Sequence, residues 1–469
     1  MSLVDAFSDI TADRYAYDPN SSPPEFGKAA LKYWAFDKDY VNVNHGSYGS
    51  LPLPVKAEVD KLLLLAERNP DKFHRVTYIP LLNKARHEVA DLVGAEHDEI
   101  VFVPNTTHGI NTIVRNIEWR EGDILLNNTI TYGAVERTLQ YLADSSEQPR
   151  PEVHSVEYQF PMSNADIISA FHAKIRELKQ RYSDRQFNIL PEHKEITGGN
   201  RFVAVIDSIS SMPGVFIPWK ELVRICHEEG VWAIIDAAHS IGQEVGIKLG
   251  DVKPDFWVSN CHKWLYAKRG AAVLYAPRRN QHLIKSSIPT SHAYPSPGNA
   301  EGTQFVLQHE WTGTQDLTPY ITVPTALAFR RWLGGEEKIN AYCSKLAIEG
   351  GKRLAELLGT KVIDESGEQT LSMAMVQIPL PVEDTPGSIY TQEVKVKIGK
   401  YFWDQFFNKW NTYPAFHFHN GAWWARLSAQ VWNDISDFEY VAKVLNAVSV
   451  DVKDTILVGK EPTFIGATE

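Results

Sequence analysis

Short apolar runs alternate with amphipathic segments between residues 98 and 276, and this pattern restricts the fold more than any other feature of the sequence. Apolar runs that alternate with helix-forming segments are typical of a mostly parallel sheet covered by helices on both faces. The strand-like runs are EIVFVP, DILLNN, FVAVID, VWAIID, PDFWVS and GAAVLYA, and the helix-like segments include TTHGINTIVRNI, GAVERTLQYLAD and PWKELVRICHEEG. The sequence therefore predicts an α/β fold that binds its ligands at the carboxyl ends of the strands.

The rest of the chain suggests three parts. Residues 1–50 are interpreted as an N-terminal arm that packs with a small domain, residues 51–325 as a large domain, and residues 326–469 as a smaller α+β domain. The segment 145–200, which contains one predicted helix, is interpreted as an insertion or an irregular edge of the sheet. A long helical stretch near residue 325 marks the change from the large to the small domain.

Composition narrows the class of protein. The 469 residues are 43% hydrophobic and 22% charged, with a net charge of -11 and no long basic run, which argues against nucleic acid or an anionic membrane as the main partner. Cys226, Cys261 and Cys343 are too widely spaced for a disulfide framework or a zinc site. The sequence shows no secretory signal and no apolar stretch of the roughly 18 residues that a membrane helix needs. We therefore expect a cytoplasmic protein.

Polar residues follow the predicted strands where a ligand would bind. Residues 105–109 (NTTHG) begin a helix, and their hydroxyl and backbone N–H groups suit a phosphate, although a simple N-cap explains this segment taken alone. Tyr132 follows the second run and can stack on a flat ring. Asp236 ends a buried strand, where a carboxylate needs a cationic partner such as a protonated pyridine nitrogen. His239 lies three residues further on and can reach a neighbouring ring substituent.

Lys263 follows the strand PDFWVS and is the central candidate. A lysine in a partly apolar pocket near other positive charge has a lowered pKa and can form a Schiff base. We expect His262 and Asn260 to help bind the phosphate of an aldehyde cofactor. Lys268 is a rival, but it lies beside Arg269 and is expected to face solvent or substrate anions. Together, the phosphate-binding turn, the aromatic, the buried aspartate and the strand-end lysine predict a pyridoxal 5'-phosphate site.

These motifs resemble the class V aminotransferase family of fold type I pyridoxal-phosphate enzymes. The matching segments are DAAHSIGQ, DFWVSNCHKWL, WTGTQD, WWARLSAQVWN and VNVNHGSYGSLP, the last being similar to the N-terminal substrate loop of the family. The resemblance extends over nearly the whole chain. It implies a large domain, with a mostly parallel seven-stranded sheet between layers of helices, and a smaller α+β domain.

The resemblance implies a role for each matching residue. Lys263 would carry the cofactor in a Schiff base, and Asp236 would pair with its pyridinium. His239, with help from Ser211, would contact the ring O3', and Tyr132 stands where many relatives stack a histidine on the ring. Thr106, Thr107 and His262 would bind the phosphate, and Thr314 would contact the phosphate of the neighbouring subunit of a homodimer. Arg426 would bind the substrate carboxylate. Asn44, His45 and Gly46 would line the substrate mouth.

The resemblance also implies a reaction. DSISSMPGVFIPWKELV and RLSAQVWNDISDF are similar to a branch of the family with an amino-acid epimerase and a lyase that acts on hercynylcysteine sulfoxide. The implied reaction is β-elimination with carbon–sulfur bond cleavage, which gives ergothioneine via its sulfenic acid, pyruvate and ammonia. Lys263 would remove the Cα proton, and Tyr132 or His45 would be the general acid. The segment NTYPAFHFHNGAWWAR lacks the mobile-loop cysteine of the desulfurases of this class, which disfavours persulfide transfer.

Several alternatives stay open at this stage. An amino-acid epimerase like isopenicillin N epimerase, another cysteine-conjugate lyase or desulfurase-like enzyme, a transaminase, and a binding protein without catalysis each fit part of the pattern. His417 and His419 would share one strand face, but no third ligand is evident and no metal is predicted. Aromatic residues that suit a trimethylammonium group, with core packing as an equal alternative, are Phe73, Tyr413, Phe416, Phe418 and Trp423.

Overall fold

The computed structural model describes residues 17–145, 149–187, 199–285, 287–290, 294 and 304–466. Within these residues the main sheet has seven strands. The strands are β1 (Ile100–Val103), β2 (Ile124–Asn128), β3 (Glu152–Val156), β4 (Phe202–Asp207), β5 (Trp232–Asp236), β6 (Phe256–Asn260) and β7 (Ala272–Tyr275). Their spatial order is β1-β7-β6-β5-β4-β2-β3. β7 runs antiparallel to both of its neighbours, and the other pairs are parallel. The mostly parallel sheet that the sequence predicted is confirmed.

Helices cover both faces of this sheet. Successive strand residues enter opposite cores: Val203 and Ile234 pack in one core, and Ala204 and Ile235 pack in the other. Because both faces are buried, the strands read as continuous apolar runs. The longer helices of the described residues are α1 (Leu53–Arg68), α2 (Tyr78–Val93), α3 (Thr106–Asn116), α4 (Gly133–Asp144), α5 (Asn164–Arg181), α6 (Trp219–Glu228), α7 (Val323–Trp332), α8 (Gly335–Leu358), α9 (Gln392–Asn408) and α10 (Ile435–Asp454).

The segment 145–200 is more regular than the sequence suggested. It contains β3, which is the edge strand next to β2, and α5, whose first turn is fixed by a capping box at Ser163. The predictions of an edge and of a helix are confirmed, but the prediction of an irregular edge is wrong for the described residues, because β3 is a regular strand. Three of the five residues of β3 are polar, and this hid the strand among loop-like residues. Residues 188–198 lie outside the described part.

A second sheet follows α8. It contains β8 (Met373–Gln377), β9 (Ala415–His419) and β10 (Ala422–Ser428), all antiparallel, in the order β8-β10-β9. The predicted long helix is in fact α7 and α8, because Gly334 and Gly335 adopt φ values of +119° and +86° that other residues rarely take.

The N-terminal segment contacts this second region. Val43 joins the core around the second sheet, and Asn433 Nδ2 donates a hydrogen bond to the Asn42 carbonyl at 3.1 Å. The three-part division of the chain stays a prediction, and residues 1–16 of the proposed arm lie outside the described part. None of the helices described here combines the length and the apolar character needed to cross a bilayer.

Candidate active site

A pocket of about 180 Å³ opens at the carboxyl ends of β4, β5 and β6. This is the edge at which the sequence predicted a ligand site, since parallel strands present their carboxyl ends together. The predicted site residues that line the pocket are Thr106, Thr107, Tyr132, Ser211, Asp236, His239, His262 and Lys263. Asn260, which was also expected to help bind the phosphate, lines the pocket as well. Further lining residues are Ser47, Tyr48, Asn105, Asp207, Ile209 and Ala238.

Lys263 lies in the turn between β6 and β7, and its amine reaches the pocket. Its Nζ lies 3.1 Å from His239 Nε2. Burial and the nearby Arg426 charge lower the pKa of Lys263 to about 7, against the opposite effect of Asp236. A substantial fraction of this amine is therefore uncharged at neutral pH, which is the form that attacks an aldehyde or takes a proton.

Two carboxylates end neighbouring strands beneath the pocket. Asp207 of β4 and Asp236 of β5 are paired residues in the sheet, and both side chains are buried. Burial raises the pKa of both carboxyl groups, and the Asp236 charge raises that of Asp207 further. Asn128 Nδ2 donates to Asp207 Oδ2 at 3.0 Å, and the Ala238 N–H donates to Asp236 Oδ1 at 3.0 Å. A protonated ring nitrogen would supply the cation that stabilises Asp236 as a carboxylate.

Sequence analysis did not select Asp207. The signal was present, because Asp207 ends FVAVID just as Asp236 ends VWAIID. Adjacent parallel strands bring such equivalent positions side by side. We therefore add Asp207 to the candidate site.

The N-terminus of α3 forms the side of the pocket that suits a phosphate. Thr106 Oγ1 is buried and has no hydrogen-bond partner within the described residues. The Asn105 side chain caps α3, so the N-cap and phosphate interpretations of this turn are compatible. Asn260 Oδ1 accepts a hydrogen bond from the Thr106 N–H at 3.0 Å, which fixes the turn. An unpaired hydroxyl at a helix N-terminus fits a phosphate group.

His262 has one ring nitrogen committed to the protein backbone. Its Nδ1 donates to the Ala271 carbonyl at 2.9 Å, which fixes the ring beside Lys263. Burial lowers the pKa of His262 to about 4. This neutral imidazole can offer only its Nε2 to a ligand in the pocket.

Arg426 of β10 approaches the pocket from the second sheet and is 2% exposed. One Nη donates to the Ser211 carbonyl at 2.8 Å, and the other donates to Asn44 Oδ1 at 3.0 Å and to Ser47 Oγ at 2.6 Å. Its Nε has no partner in the described part of the chain. Burial lowers the pKa of Arg426 to about 10. A buried guanidinium that contacts only neutral groups is suited to receive a carboxylate from outside the chain.

The N-terminal loop packs directly on the loop that carries Lys263. A one-turn helix, His45–Tyr48, ends at Gly49, which has a φ of +68°. A Cβ at Gly49 would lie 1.7 Å from the His262 carbonyl oxygen, so only glycine permits this approach. Ser47 and Tyr48 consequently line the pocket.

His45 and Gly46 do not line the substrate mouth, and this prediction is wrong. The first two residues of this one-turn helix point inward, so that His45 is 1% exposed and Gly46 packs against Trp264 and Ser428. His45 Nε2 donates to the Lys263 carbonyl at 2.9 Å, and burial lowers the pKa of His45 to about 3. His45 therefore supports the lysine loop, and the alternative of His45 as general acid is also wrong.

Three other candidates lie outside the pocket lining. Lys268 pairs with Asp316, which removes it as a rival of Lys263. Cys261 is buried in the core, and burial raises the pKa of its thiol. Thr314 is exposed, and its contact with a neighbouring subunit stays a prediction.

The aromatic residues proposed for a cationic substrate group do not line the pocket. Phe73 and Trp423 are buried in the two cores, and Tyr413, Phe416 and Phe418 pack against the core of the second sheet. Instead, Tyr48 and Tyr132 stand at the pocket with 72% and 51% of their surface exposed. Their positions depend on loop geometry, which the sequence pattern does not reveal.

The histidine pair of β9 does not form part of a larger cluster of possible ligands. His419 Nε2 accepts a hydrogen bond from the Phe160 N–H at 2.9 Å, and burial lowers the pKa of His417 to about 4. Among the described residues, no group of three or more His, Cys, Asp or Glu side chains is placed to hold a metal ion. The backbone contact of His419 gives this residue a structural explanation.

Comparison with known proteins identifies the class of protein. The family model for class-V aminotransferases matches residues 65–148 and 166–406, and the chain belongs to this family. A cysteine desulfurase from Thermococcus onnurineus NA1 superposes with a TM-score of 0.68 at 17% identity, over 92% of this chain and 100% of that one. The predicted fold type I is confirmed, and the chain is a pyridoxal-phosphate-dependent enzyme.

Curated relatives narrow the group further. The chain is 32% identical over 465 residues to an L-cysteine desulfhydrase-like protein of Epichloe uncinata, covering 92% of this chain and 98% of the relative. It is 32% identical over 423 residues to the hercynylcysteine sulfoxide lyase of Schizosaccharomyces pombe (strain 972 / ATCC 24843), covering 90% and 97%. The isopenicillin N epimerase of Streptomyces clavuligerus is 24% identical over 362 residues, covering 74% and 82%.

Proposed function

We propose that this enzyme is a carbon–sulfur lyase that cleaves hercynylcysteine sulfoxide by β-elimination. The observation that carries the proposal is the grouping of a Lys263 amine with a lowered pKa, the buried carboxylate of Asp236 and the neighbouring Arg426, which has no carboxylate partner among the described residues. Lys263 is suited to act as the base, Asp236 to bind the ring nitrogen, and Arg426 to bind the carboxylate of an amino acid. The similarity to the Schizosaccharomyces pombe lyase supports the choice of substrate.

Different pocket residues would bind different parts of the cofactor. Asp236 would hold the ring nitrogen, His239 with Ser211 the ring oxygen, and Tyr132 a ring face. The phosphate would lie against Thr106, Thr107 and His262, and the Thr106 hydroxyl is free among the described residues to donate to it. Because His262 Nδ1 already donates to the Ala271 carbonyl, a hydrogen bond from this ring to the phosphate requires a proton on Nε2 or on the phosphate itself. When bound, pyridoxal phosphate supplies the electron sink that weakens the bonds at the substrate Cα.

Arg426 positions the substrate. Its two Nη groups, now bonded to Ser47, Asn44 and Ser211, would exchange the serine contacts for the two oxygens of the α-carboxylate. Asn44 would keep its hydrogen bond and fix the plane of the guanidinium. The Cα of the substrate then lies on the side of the pocket that Lys263 occupies.

Proton transfers complete the reaction. The Lys263 amine takes the Cα proton, and the Cβ–S bond breaks with its electron pair leaving on sulfur. Tyr132 at the mouth donates a proton to the departing sulfenate. The products after hydrolysis are the sulfenic acid, pyruvate and ammonia, and a thiol reductant converts the sulfenic acid to ergothioneine.

The exposed tyrosines suit the trimethylammonium group of this substrate. A cation over an aromatic face gains about 0.5–2 kcal/mol. Tyr48 and Tyr132 present such faces at the pocket, whereas the buried aromatic residues do not. We expect Tyr48→Leu to raise KM for the trimethylated substrate about fivefold, with Tyr48→Phe close to wild type.

A second candidate is a lyase that acts on cysteine or another cysteine conjugate. The similarity to the desulfhydrase-like protein of Epichloe uncinata, which extends over 98% of that protein, favours it. The same base, ring partner and carboxylate receptor serve this reaction. The two candidates differ only in the group that sulfur carries.

We also propose that the active unit is a cytoplasmic homodimer. The three free cysteines are all buried, which suits a reducing compartment. Thr314 would reach the phosphate of the neighbouring subunit. Sedimentation of the purified protein tests the dimer, and a monomer with full activity contradicts it.

The deciding experiment measures pyruvate release from the cofactor-loaded protein. Hercynylcysteine sulfoxide, its thioether, cysteine and an epimerisable amino acid are offered separately, with Lys263→Ala as the control. Fast pyruvate from the sulfoxide alone supports the main proposal, and fast pyruvate from cysteine supports the second candidate. Exchange of the Cα proton with solvent and no pyruvate from any substrate would favour an epimerase instead.

A further inference from the structure

The indole of Trp264 does not line the pocket, and its Nε1 forms a hydrogen bond with the pocket residue His239. The indole Nε1 lies 3.1 Å from His239 Nδ1, and the other ring nitrogen, Nε2, lies 3.1 Å from Lys263 Nζ. The indole ring is 1% exposed and His239 is 2% exposed. The three side chains therefore form a line of hydrogen bonds that leads from the core to the reactive amine.

The chemistry of the three groups fixes the protons along this line. An indole N–H is a donor and cannot accept, so His239 Nδ1 must accept and carries no proton. The neutral imidazole then carries its proton on Nε2. That proton points at Lys263 Nζ, which must accept it through a lone pair. An ammonium group has no lone pair, so this geometry requires the uncharged form of Lys263.

We propose that Trp264 is a positioning residue that sets the tautomer of His239 and thereby holds the Lys263 amine in its uncharged, reactive form. The inference concerns the cofactor-binding lysine and does not depend on which substrate the enzyme cleaves.

Other charges around the amine do not depend on Trp264. Replacing this indole alters no formal charge, so any effect on Lys263 that passes through hydrogen bonding must pass through His239. The titratable and charged groups that face Lys263 and His239 are Arg426 of β10, Asp236 of β5, Asp207 of β4, His45 and Tyr48 of the N-terminal loop, Tyr132 before α4, and His262.

The test is the pH profile of Lys263 reactivity in the full-length, cofactor-free protein. Formaldehyde with cyanoborohydride methylates uncharged amines, and peptide mass spectrometry reports the rate at Lys263 alone. We expect Trp264→Phe to free His239 Nδ1 to carry the proton, so that Nε2 becomes an acceptor and favours the lysine ammonium. A rise of one pKa unit from about 7 lowers the reactivity at pH 7 by about fivefold.

Trp257 provides the matched control. It is also a fully buried tryptophan, and it lies on β6, which leads to the lysine. Its Nε1 has no hydrogen-bond partner among the described residues, so Trp257→Phe deletes an N–H without a contact to His239. An equal shift of the Lys263 profile in both variants would show a general packing effect and overturn the proposal.

A double-mutant cycle separates the tautomer from packing. His239→Gln places an amide N–H near the position of Nε2, and this donor does not depend on Trp264. We expect Trp264→Phe to have little further effect on Lys263 in the His239→Gln background. An undiminished shift there would contradict the proposal.

A measurement on the wild-type protein covers the case in which Trp264→Phe does not fold. The ¹⁵N signals of labelled histidine distinguish the two neutral tautomers, and His239→Gln identifies the signals of His239. We expect a protonated Nε2 and an unprotonated Nδ1 across neutral pH. A protonated Nδ1 would refute the inference without any activity assay.

Discussion

Two buried arginines lie near the Lys263 loop, and their surroundings differ in charge. Arg330 of α7 is 1% exposed, and the Glu336 carboxylate receives two of its N–H groups at 2.6 Å each. Arg426 of β10 is 2% exposed and meets only neutral oxygens. Burial alone therefore does not distinguish a structural arginine from a ligand-binding one.

Their acid–base properties follow from this difference. Burial lowers the pKa of Arg330, but the Glu336 carboxylate raises it more, so that the net pKa lies above the usual range. Burial lowers the pKa of Arg426 to about 10. The Arg330 site is electrostatically complete, whereas the Arg426 site lacks one negative charge, and the carboxylate of an amino-acid substrate is of the right kind to supply it.

The largest effect is expected on the stability of the fold when Arg330, whose charge is balanced by Glu336, is replaced. Arg330→Met leaves the Trp264 and Gly242 carbonyls without their donor and Glu336 without its counter-ion. We expect the free energy of unfolding to fall by about 3–5 kcal/mol, measured by urea denaturation of the cofactor-free protein. A loss no larger than that of Arg426→Met would remove the contrast between the two sites.

The next largest effect is expected on catalytic activity when Arg426, whose charge is not balanced within the described residues, is replaced. Arg426→Met removes the carboxylate receptor, and we expect kcat/KM to fall about 100-fold or more, since hydrogen bonds to a charged group contribute about 1.5–3 kcal/mol each. The free energy of unfolding should change by only about 1 kcal/mol, because no ion pair is broken. If this variant instead unfolds like Arg330→Met while keeping its activity, Arg426 is structural.

A simple carboxylate should bind at Arg426 in the absence of cofactor. Acetate at about ten times its dissociation constant is expected to stabilise the wild-type protein by about 1.4 kcal/mol. The midpoint of thermal unfolding measures this, with chloride at equal ionic strength as the salt control. Arg426→Met should show no difference between the two salts, and an unchanged acetate effect in that variant would place the anion elsewhere.

The smallest effect is expected on the pKa of Lys263. The Arg426 charge helps to lower this pKa to about 7, so Arg426→Met should raise it by up to about one unit. Because the folded lysine then loses its proton at higher pH, site-specific methylation should shift upward along the pH scale. No shift would mean that the Arg426 charge does not contribute to the lowered pKa.

The same lysine makes stability depend on pH. Between the folded pKa of about 7 and the ordinary lysine pKa of 10.5, the unfolded chain binds more protons at this residue than the folded chain. The contribution of Lys263 therefore destabilises the fold most below pH 7, and this penalty disappears as the pH rises toward 10.5. Lys263→Met should be more stable than wild type at pH 6, and the difference should shrink at higher pH.

The sequence predicted the residues that follow regular strands. Asp236, His239 and Lys263 were found because apolar runs have visible ends, and the ends of parallel strands share one edge of the sheet. The edge strand β3 was missed because its polar residues resemble a loop. The break between α7 and α8 was missed because a helical pattern continues across the two glycines.

Features that depend on loop geometry or on distant contacts were not predictable in this way. His45 points inward and Tyr48 outward within a single four-residue helix, which has too few residues for a periodic pattern. Asp207 was not selected, although the end of its strand was visible. The roles of Trp264 and Arg330 depend on contacts between distant parts of the chain, whereas the role of Arg426 was implied by the family resemblance.

The close approach of Gly49 to His262, together with the Asn44–Arg426 contact, has a consequence for the biosynthesis of the enzyme. Asn44 and Arg426 are separated by 382 positions, so the pocket joins the first part of the chain to nearly the last. A ribosome makes the lysine loop long before it makes β10, and a domain that needs both cannot close early. We therefore expect the nascent chain to acquire a working centre only after β10 has been made and has packed against the N-terminal loop.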